Sequence, residues 1–298
     1  MATCSAPGKI YLFGEHAVVY GESAIACAVE LRTRVCAKRS DSVRISSDIG
    51  TTGIDFEIHP YVSKVIEKLG SMKVSVEISS DLPVGSGLGS SAAVTIATLA
   101  AINIEFGLGY DHEEIARMGH EIEKEVQGAA SPTDTFVSTF GGVVQIPSRK
   151  RLSMVECGVV IGNTNKGATP KKTAKLVKHV AMLRDEYPDV IDPIIRTIGS
   201  FAERGELLVR DRDYISLGRL MNVNHGLLDA LGVGTSELSS LVYAARNTGA
   251  FGAKITGAGG GGCMVALTDS PDRVASAIEA AGGQAIVTAF TKEGVRQE

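Results

Sequence analysis

Two carboxylates, a lysine and two glycine-rich runs are the residues of this chain whose types and spacing can do chemistry. The first run is Asp81-Leu-Pro-Val-Gly-Ser-Gly-Leu-Gly-Ser-Ser-Ala-Ala93. Its glycines at 85, 87 and 89 let the backbone turn with N–H groups inward, and Ser90 and Ser91 stand where a helix begins. Unpaired N–H groups and the positive end of the helix dipole favour an anion there. A strand must lead in and a helix must lead out. Val74-Ser-Val-Glu-Ile-Ser79 alternates as a half-buried strand does, and Ala92 to Ile104 is almost wholly apolar, as a buried helix is. Together they make a phosphate cradle, with a tight structural turn as the plainer alternative. The lysine-bearing P-loop pattern is absent, and the dinucleotide fingerprint does not fit at 85–90.

Lys9, Glu15 and His16 stand among strongly apolar neighbours in Ala6-Pro-Gly-Lys-Ile-Tyr-Leu-Phe-Gly-Glu-His-Ala-Val-Val-Tyr-Gly21. Taken singly, a surface lysine and a hydrogen-bonded core histidine explain them as well as a site does. Glu123 falls near the end of an expected helix that Asp111 and Glu114 open as a capping box, with Ile115, Met118, Ile122 and Val126 on one face. Asp134 lies just past a Gly–Ser–Pro turn. One carboxylate on a buried helix and one beyond a turn can face a single Mg²⁺-phosphate site, whereas Glu121 and Glu125 fit an exposed acidic face. The second glycine run, at 257 and 259–262, sits between strand-like ends in Phe251 to Leu267. Each glycine loses more backbone entropy on folding than other residues. Five are more than a hairpin needs, so the pattern points to close approach of the backbone to a ligand.

The remaining elements must position these groups. Strands are expected at Ile10–Phe13, Ala24–Leu31 and Arg34–Ser40, the last two joined at Arg32-Thr33, with a loop at 50–53 and a helix over Tyr61–Leu69. Arg149-Lys-Arg151 is the candidate boundary, dividing the chain into 1–150 and 151–298. Beyond it come a strand at Gly158–Gly162, a polar loop at 163–169, helices at Lys171–Leu183, 190–209 and 213–231, and another from Ser236. A last helix from Ser270 leads to a strand at Ala285–Thr291 and a loose polar tail from Gly294. The second half thus mixes helices with a small antiparallel sheet. Hydrophobic content of 44%, charge of 21% and a net charge of −4 fit a globular chain and argue against nucleic acid as partner. Five scattered cysteines imply reduced thiols. With no signal-peptide pattern and no apolar run of membrane length, the expectation is a cytoplasmic protein with no membrane partner.

Three stretches together resemble the GHMP kinase family: Pro7 to Gly21, Pro83 to Ala93, and Lys254 to Cys263. The run Gly-Glu-His-Ala-Val-Val-Tyr-Gly21 is similar to the branch that acts on mevalonate, while galactokinases usually read Gly-Glu-His-Thr-Asp-Tyr there. The resemblance spans the chain, without departure at the positions it bears on. It implies an α+β fold of two domains, the first with a left-handed βαβ unit and the second ferredoxin-like, and the active site between them. By the same resemblance Asp134 is the catalytic aspartate and Lys9 its lysine partner. Pro83, Val84, Gly85, Ser86, Gly87, Leu88, Gly89, Ser90, Ser91, Ala92 and Ala93 bind ATP. Ser90 and Glu123 ligate Mg²⁺. Glu15 and His16 line the acceptor pocket, and Gly257 and Ala258 lie at the reacting centre.

The implied reaction moves the γ-phosphoryl group of ATP to the 5-hydroxyl of (R)-mevalonate. A homodimer is expected by analogy. The acceptor's carboxylate calls for a cation, and Arg196, set among isoleucines of an expected helix, is a candidate, although a charge on the helix flank also explains it. Alternatives are a kinase of the same family for homoserine or a sugar, a related decarboxylase, and a non-catalytic sensor on the same fold. A sensor has no need of Lys9, Ser90, Glu123 and Asp134 together.

Overall fold

The computed structural model describes residues 1–83, 85–128, 131–164 and 170–298, with side chains from 173 onward in the last stretch. Val84 and most of the polar loop expected at 163–169 therefore lie outside the described residues. The chain opens with β1 (Ala2–Phe13), which passes through a short 3-10 turn at Ala17–Tyr20 into its antiparallel partner β2 (Ala24–Arg39). β3 (Arg44–Ser47) and β4 (Gly50–Thr52) form a hairpin, α1 (Pro60–Lys68) crosses over, and β5 (Val74–Ser80) returns parallel to β3. Then come α2 (Ser90–Phe106), α3 (His112–Gln127), α4 (Pro132–Phe140), β6 (Val143–Ile146) and β7 (Lys150–Arg151). β8 (Gly158–Asn163) starts a second sheet, followed by α5 (Pro170–Glu186), α6 (Pro188–Arg210), α7 (Tyr214–Ala230) and α8 (Ser236–Asn247). β9 (Gly252–Ile255), β10 (Cys263–Thr268), α9 (Pro271–Ala280) and β11 (Gln284–Thr288) complete that sheet, and β12 (Arg296–Gln297) returns to the first.

The first sheet runs β12-β1-β2-β5-β3-β4, with β6 beside β2 and β7 beside β6. The second runs β11-β8-β10-β9, every neighbour antiparallel. Numbered along the chain that order is 4-1-3-2, the ferredoxin-like arrangement. α2 is apolar all round and buried from Ala92 to Ile102 except at half-buried Val94, so it forms a central rod against β1 and β2 rather than a surface helix. α3 is amphipathic and starts where expected: Asp111 accepts from the Glu114 N–H and Glu114 from the Asp111 N–H, both at 2.9 Å. Among the described residues no helix is long and apolar enough to cross a membrane.

Four local expectations are corrected. Residues 24–39 form one strand, because Arg32 is buried rather than turned out to solvent. Its guanidinium donates to Ser5 Oγ at 2.7 Å and to the Ser5 and Gly294 carbonyls at 3.0 and 2.6 Å, and a register shift between Pro7 and Gly8 absorbs the bend. Residues 50–52 pair with β3 instead of looping. Asp134 lies in the first turn of a helix, with Ser131 as N-cap and Pro132 at the first position, a favoured start. The tail is ordered: β12 pairs with β1, Val295 is buried, and Ser5 Oγ donates to Glu298 at 2.5 Å.

Candidate active site

The first glycine run does connect a strand to a helix start. Gly89 takes a left-handed conformation (φ 75°) just before α2, so the first-turn amides of Ser90 and Ser91 have no helical partner upstream. Pro83, Gly85, Gly87, Ser90 and Ser91 are half-buried, while Ser86, Leu88, Gly89, Ala92 and Ala93 are buried beneath them. Ser86 Oγ donates to the Pro83 carbonyl at 2.7 Å, closing the turn, and the Lys9 amide donates to the Leu88 carbonyl at 2.8 Å. The loop is thereby tied to β1.

That tie brings Lys9 to the mouth of the loop. Its ammonium lies 3.2 Å from Asp134 Oδ2, donates to the Gly87 carbonyl at 3.3 Å and rests 4.4 Å above the Tyr11 ring. The lysine side chain is 4% exposed and that of Asp134 25%, so the carboxylate keeps an open side. Glu123, from α3, is buried nearby and accepts from Ser91 Oγ at 2.6 Å. The hydroxyl on this carboxylate is thus Ser91's, with Ser90 one residue earlier on the same helix start. Burial, then the negative charge of Asp134, pushes the Glu123 carboxyl up to about 8. Two carboxylates converging beside serine hydroxyls form a hard oxygen set suited to a cation. Mg²⁺ usually binds through one or two carboxylates and completes its octahedral shell with other oxygens, mainly phosphate and water. The residues present fit Mg²⁺.

The second glycine run packs backbone to backbone on the first. A Cβ on Gly257 (φ 81°) would stand 3.1 Å from the Gly87 carbonyl oxygen and 3.2 Å from Gly87 Cα. β1 and the turn after it are joined to the same segment. Thr256 Oγ1 accepts from the Tyr11 amide at 2.9 Å, and His16 Nε2 meets the Ala258 carbonyl at 3.0 Å. His16 is buried with φ 60°, a left-handed conformation that costs a side-chain-bearing residue energy and persists only where surroundings enforce it. Burial holds its imidazole below the usual range, hence neutral.

Glu15, expected at the acceptor pocket, is buried and ion-paired with Lys254, with Asn224 Nδ2 donating to its second oxygen at 3.4 Å. Arg196 is exposed, because Ile191, Ile195 and Ile198 turn the apolar face of α6 inward and position 196 points away. Sequence reasoning missed four other groups. Lys254 lies in an apolar strand, and a lysine is almost never fully buried without a partner, which was the available signal. Tyr11 and Thr256 carried no signal beyond their position in the motifs. Arg149, read as boundary charge, lines a cavity of about 130 Å³ with Pro132, Thr133, Phe136, Ile146 and Pro147, and its guanidinium sits 4.9 Å from the Phe136 ring centre. This cavity adjoins the helix turn that carries Asp134. A larger one, about 300 Å³, involves Thr164, Ser236, Glu237 and Ser240 and shares none of these residues.

The family model for the GHMP kinases N terminal domain matches residues 60–142, and that for the GHMP kinases C terminal region matches residues 206–286. The chain belongs to the GHMP kinases. Among curated relatives of this GHMP kinase, the mevalonate kinase of Thermococcus sibiricus is 46% identical, over 99% of this chain and 97% of its own. That of Pyrococcus abyssi is 44% identical over 100% and 98%. Among solved structures, the Methanococcus jannaschii mevalonate kinase matches with a TM-score of 0.85 at 28% identity, covering 97% of this chain and 98% of its own.

Proposed function

We propose that this GHMP kinase is a mevalonate kinase, transferring the γ-phosphoryl group of ATP to the 5-hydroxyl of (R)-mevalonate. The observation that carries the reading is the Lys9–Asp134 pair at 3.2 Å, set at the mouth of the 83–93 loop with one side of the carboxylate open. The relatives named mevalonate kinase, similar over almost their whole length, support the acceptor. Asp134 accepts the proton of the acceptor hydroxyl as the bond to phosphorus forms, a contribution of about 10²–10⁴-fold for a placed general base. Lys9 offsets charge on the transferring oxygens, and the amides at the start of α2 receive the phosphates. Glu123 and the Ser90 and Ser91 hydroxyls would hold Mg²⁺, which supplies charge neutralisation to the phosphate oxygens when bound.

The acceptor lies between Asp134 and the cavity under Arg149. Arg149 replaces Arg196 as the cation for its carboxylate, since a guanidinium pairs with a carboxylate through two parallel hydrogen bonds. His16, Gly257 and Ala258 form the inner wall. The reading keeps the division at 150/151, although β12 returns to the first sheet, and it includes a cytoplasmic homodimer with no nucleic-acid partner. Steady-state ADP release with Mg-ATP and (R)-mevalonate tests the activity. Saturable turnover is expected, and none with a folded protein would overturn it.

A further inference from the structure

Below the Lys9–Asp134 pair lies a second ion pair that the reaction as described does not use. Lys254, in β9, is 0% exposed and Glu15, in the turn after β1, 1% by side chain. The lysine also donates to the Ile255 carbonyl at 2.6 Å. Burial pushes the Glu15 carboxyl up and the Lys254 ammonium down, so each stays charged by virtue of the other. Taking two charges out of water costs more than a well-packed apolar pair, so stability is a weak reason for such a pair, and specificity of geometry is a better one.

The geometry at stake is visible in what the five residues 254–258 touch. Lys254 holds Glu15, Thr256 holds the Tyr11 amide, Gly257 abuts Gly87, and the Ala258 carbonyl meets His16. Tyr11 and Gly87 are the neighbours that place the Lys9 ammonium, 4.4 Å from the ring and 3.3 Å from the carbonyl. These two supports of Lys9, beyond Asp134 and its own strand, therefore trace to this segment. Lys254 is the charged anchor at its start.

We propose that Lys254 is a positioning residue for phosphoryl transfer, which through Glu15 locks the 254–258 segment in the place that sets Lys9 against Asp134. The inference rests on the kinase reading of the site. The lock acts on the reacting centre rather than on ATP affinity, because the anchor touches neither the amides at the start of α2 nor the hydroxyls beside Glu123.

The test compares kcat, KM for ATP and Tm of the parent with Lys254→Met, Glu15→Gln/Lys254→Met and Glu15→Asp. Lys254→Met leaves a buried carboxylate alone and is expected to lower both Tm and kcat, the latter about tenfold or more, with KM for ATP within about threefold. The double variant removes both charges and should regain Tm while kcat stays down, because the tether is gone. A purely structural pair predicts that kcat returns with Tm, and that result overturns the proposal. So does a folded Lys254→Met within about threefold of parental kcat. Should the methionine variants fail to fold, Glu15→Asp keeps both charges and shortens the reach by one methylene; an unchanged kcat there refutes the lock and a drop of about tenfold supports it. Parental turnover of (R)-mevalonate reports separately on the activity. If another acceptor from a homoserine and galactose panel is used instead, the same ratios are read on it.

Discussion

Replacing Gly257 by alanine perturbs the contact between the two glycine runs at one atom. Its φ of 81° lies in the left-handed region, which costs an L-residue roughly 1–2 kcal/mol. The added Cβ would also lie 3.1 Å from the Gly87 carbonyl oxygen, so the loop must yield by a few tenths of an ångström. Gly249 provides a matched control, with φ 96° and nothing within 4 Å of an added methyl. Both variants should lose about 1–2 kcal/mol, or roughly 2–8 °C in Tm, from backbone strain alone. Only Gly257→Ala should lose turnover, because Gly87 carries the carbonyl that holds Lys9. Misplacement by about 1 Å can cost 10²-fold, so a smaller shift should cost about tenfold. Thermal unfolding and steady-state kinetics on both variants decide the matter. Equal kcat in the two, at equal loss of Tm, would refute the claim that close backbone approach serves the reacting centre.

Asp134→Asn is expected to keep ATP binding, measured by calorimetry, while kcat falls about 10²–10⁴-fold, and near-normal turnover would remove the base assignment. Arg149→Met should raise KM for (R)-mevalonate by about 10-fold or more at little change in KM for ATP, the loss expected of a charge-assisted contact. Arg32→Met, which strips the Ser5 and Gly294 contacts, should lower stability by about 2–4 kcal/mol in urea titrations and free the C-terminal strand. Burial, then Arg246 and Lys254, lowers His225 to about 4, so it is neutral in the folded state and takes up a proton on unfolding below pH about 6.5. Stability is then fully present above that pH and declines as pH falls toward 4, a slope that His225→Gln should flatten in unfolding curves.

Much of this molecule is legible in one dimension. The loop-to-helix cradle, the capped α3 and the antiparallel second sheet follow from glycine spacing, a capping box and apolar periodicity, all local signals. What escaped was set by distant partners. Arg32 reads as a strand break until Ser5 and Gly294 are seen to receive its guanidinium. Residues 132–140 are rich in threonine and phenylalanine, poor helix formers, and fold as a helix on the strength of the Ser131 cap and packing on α2 and α3. For Arg196 two readings stood open, a cation for the acceptor and a charge on the helix flank, and the helical period puts it on the outer face, as the second has it. Glu15 needed a partner 239 residues away in sequence, and no local pattern names one.

The central claim is that Lys9, Asp134 and the 83–93 cradle transfer phosphoryl to mevalonate. ADP release from Mg-ATP, measured with (R)-mevalonate, 5-phosphomevalonate, homoserine and galactose in parallel, tests it most directly. Saturable turnover with (R)-mevalonate alone, abolished in Asp134→Asn, is the predicted result. Turnover with one of the other acceptors and none with mevalonate would contradict it, leaving the phosphate site in place and the acceptor pocket under Arg149 wrongly assigned.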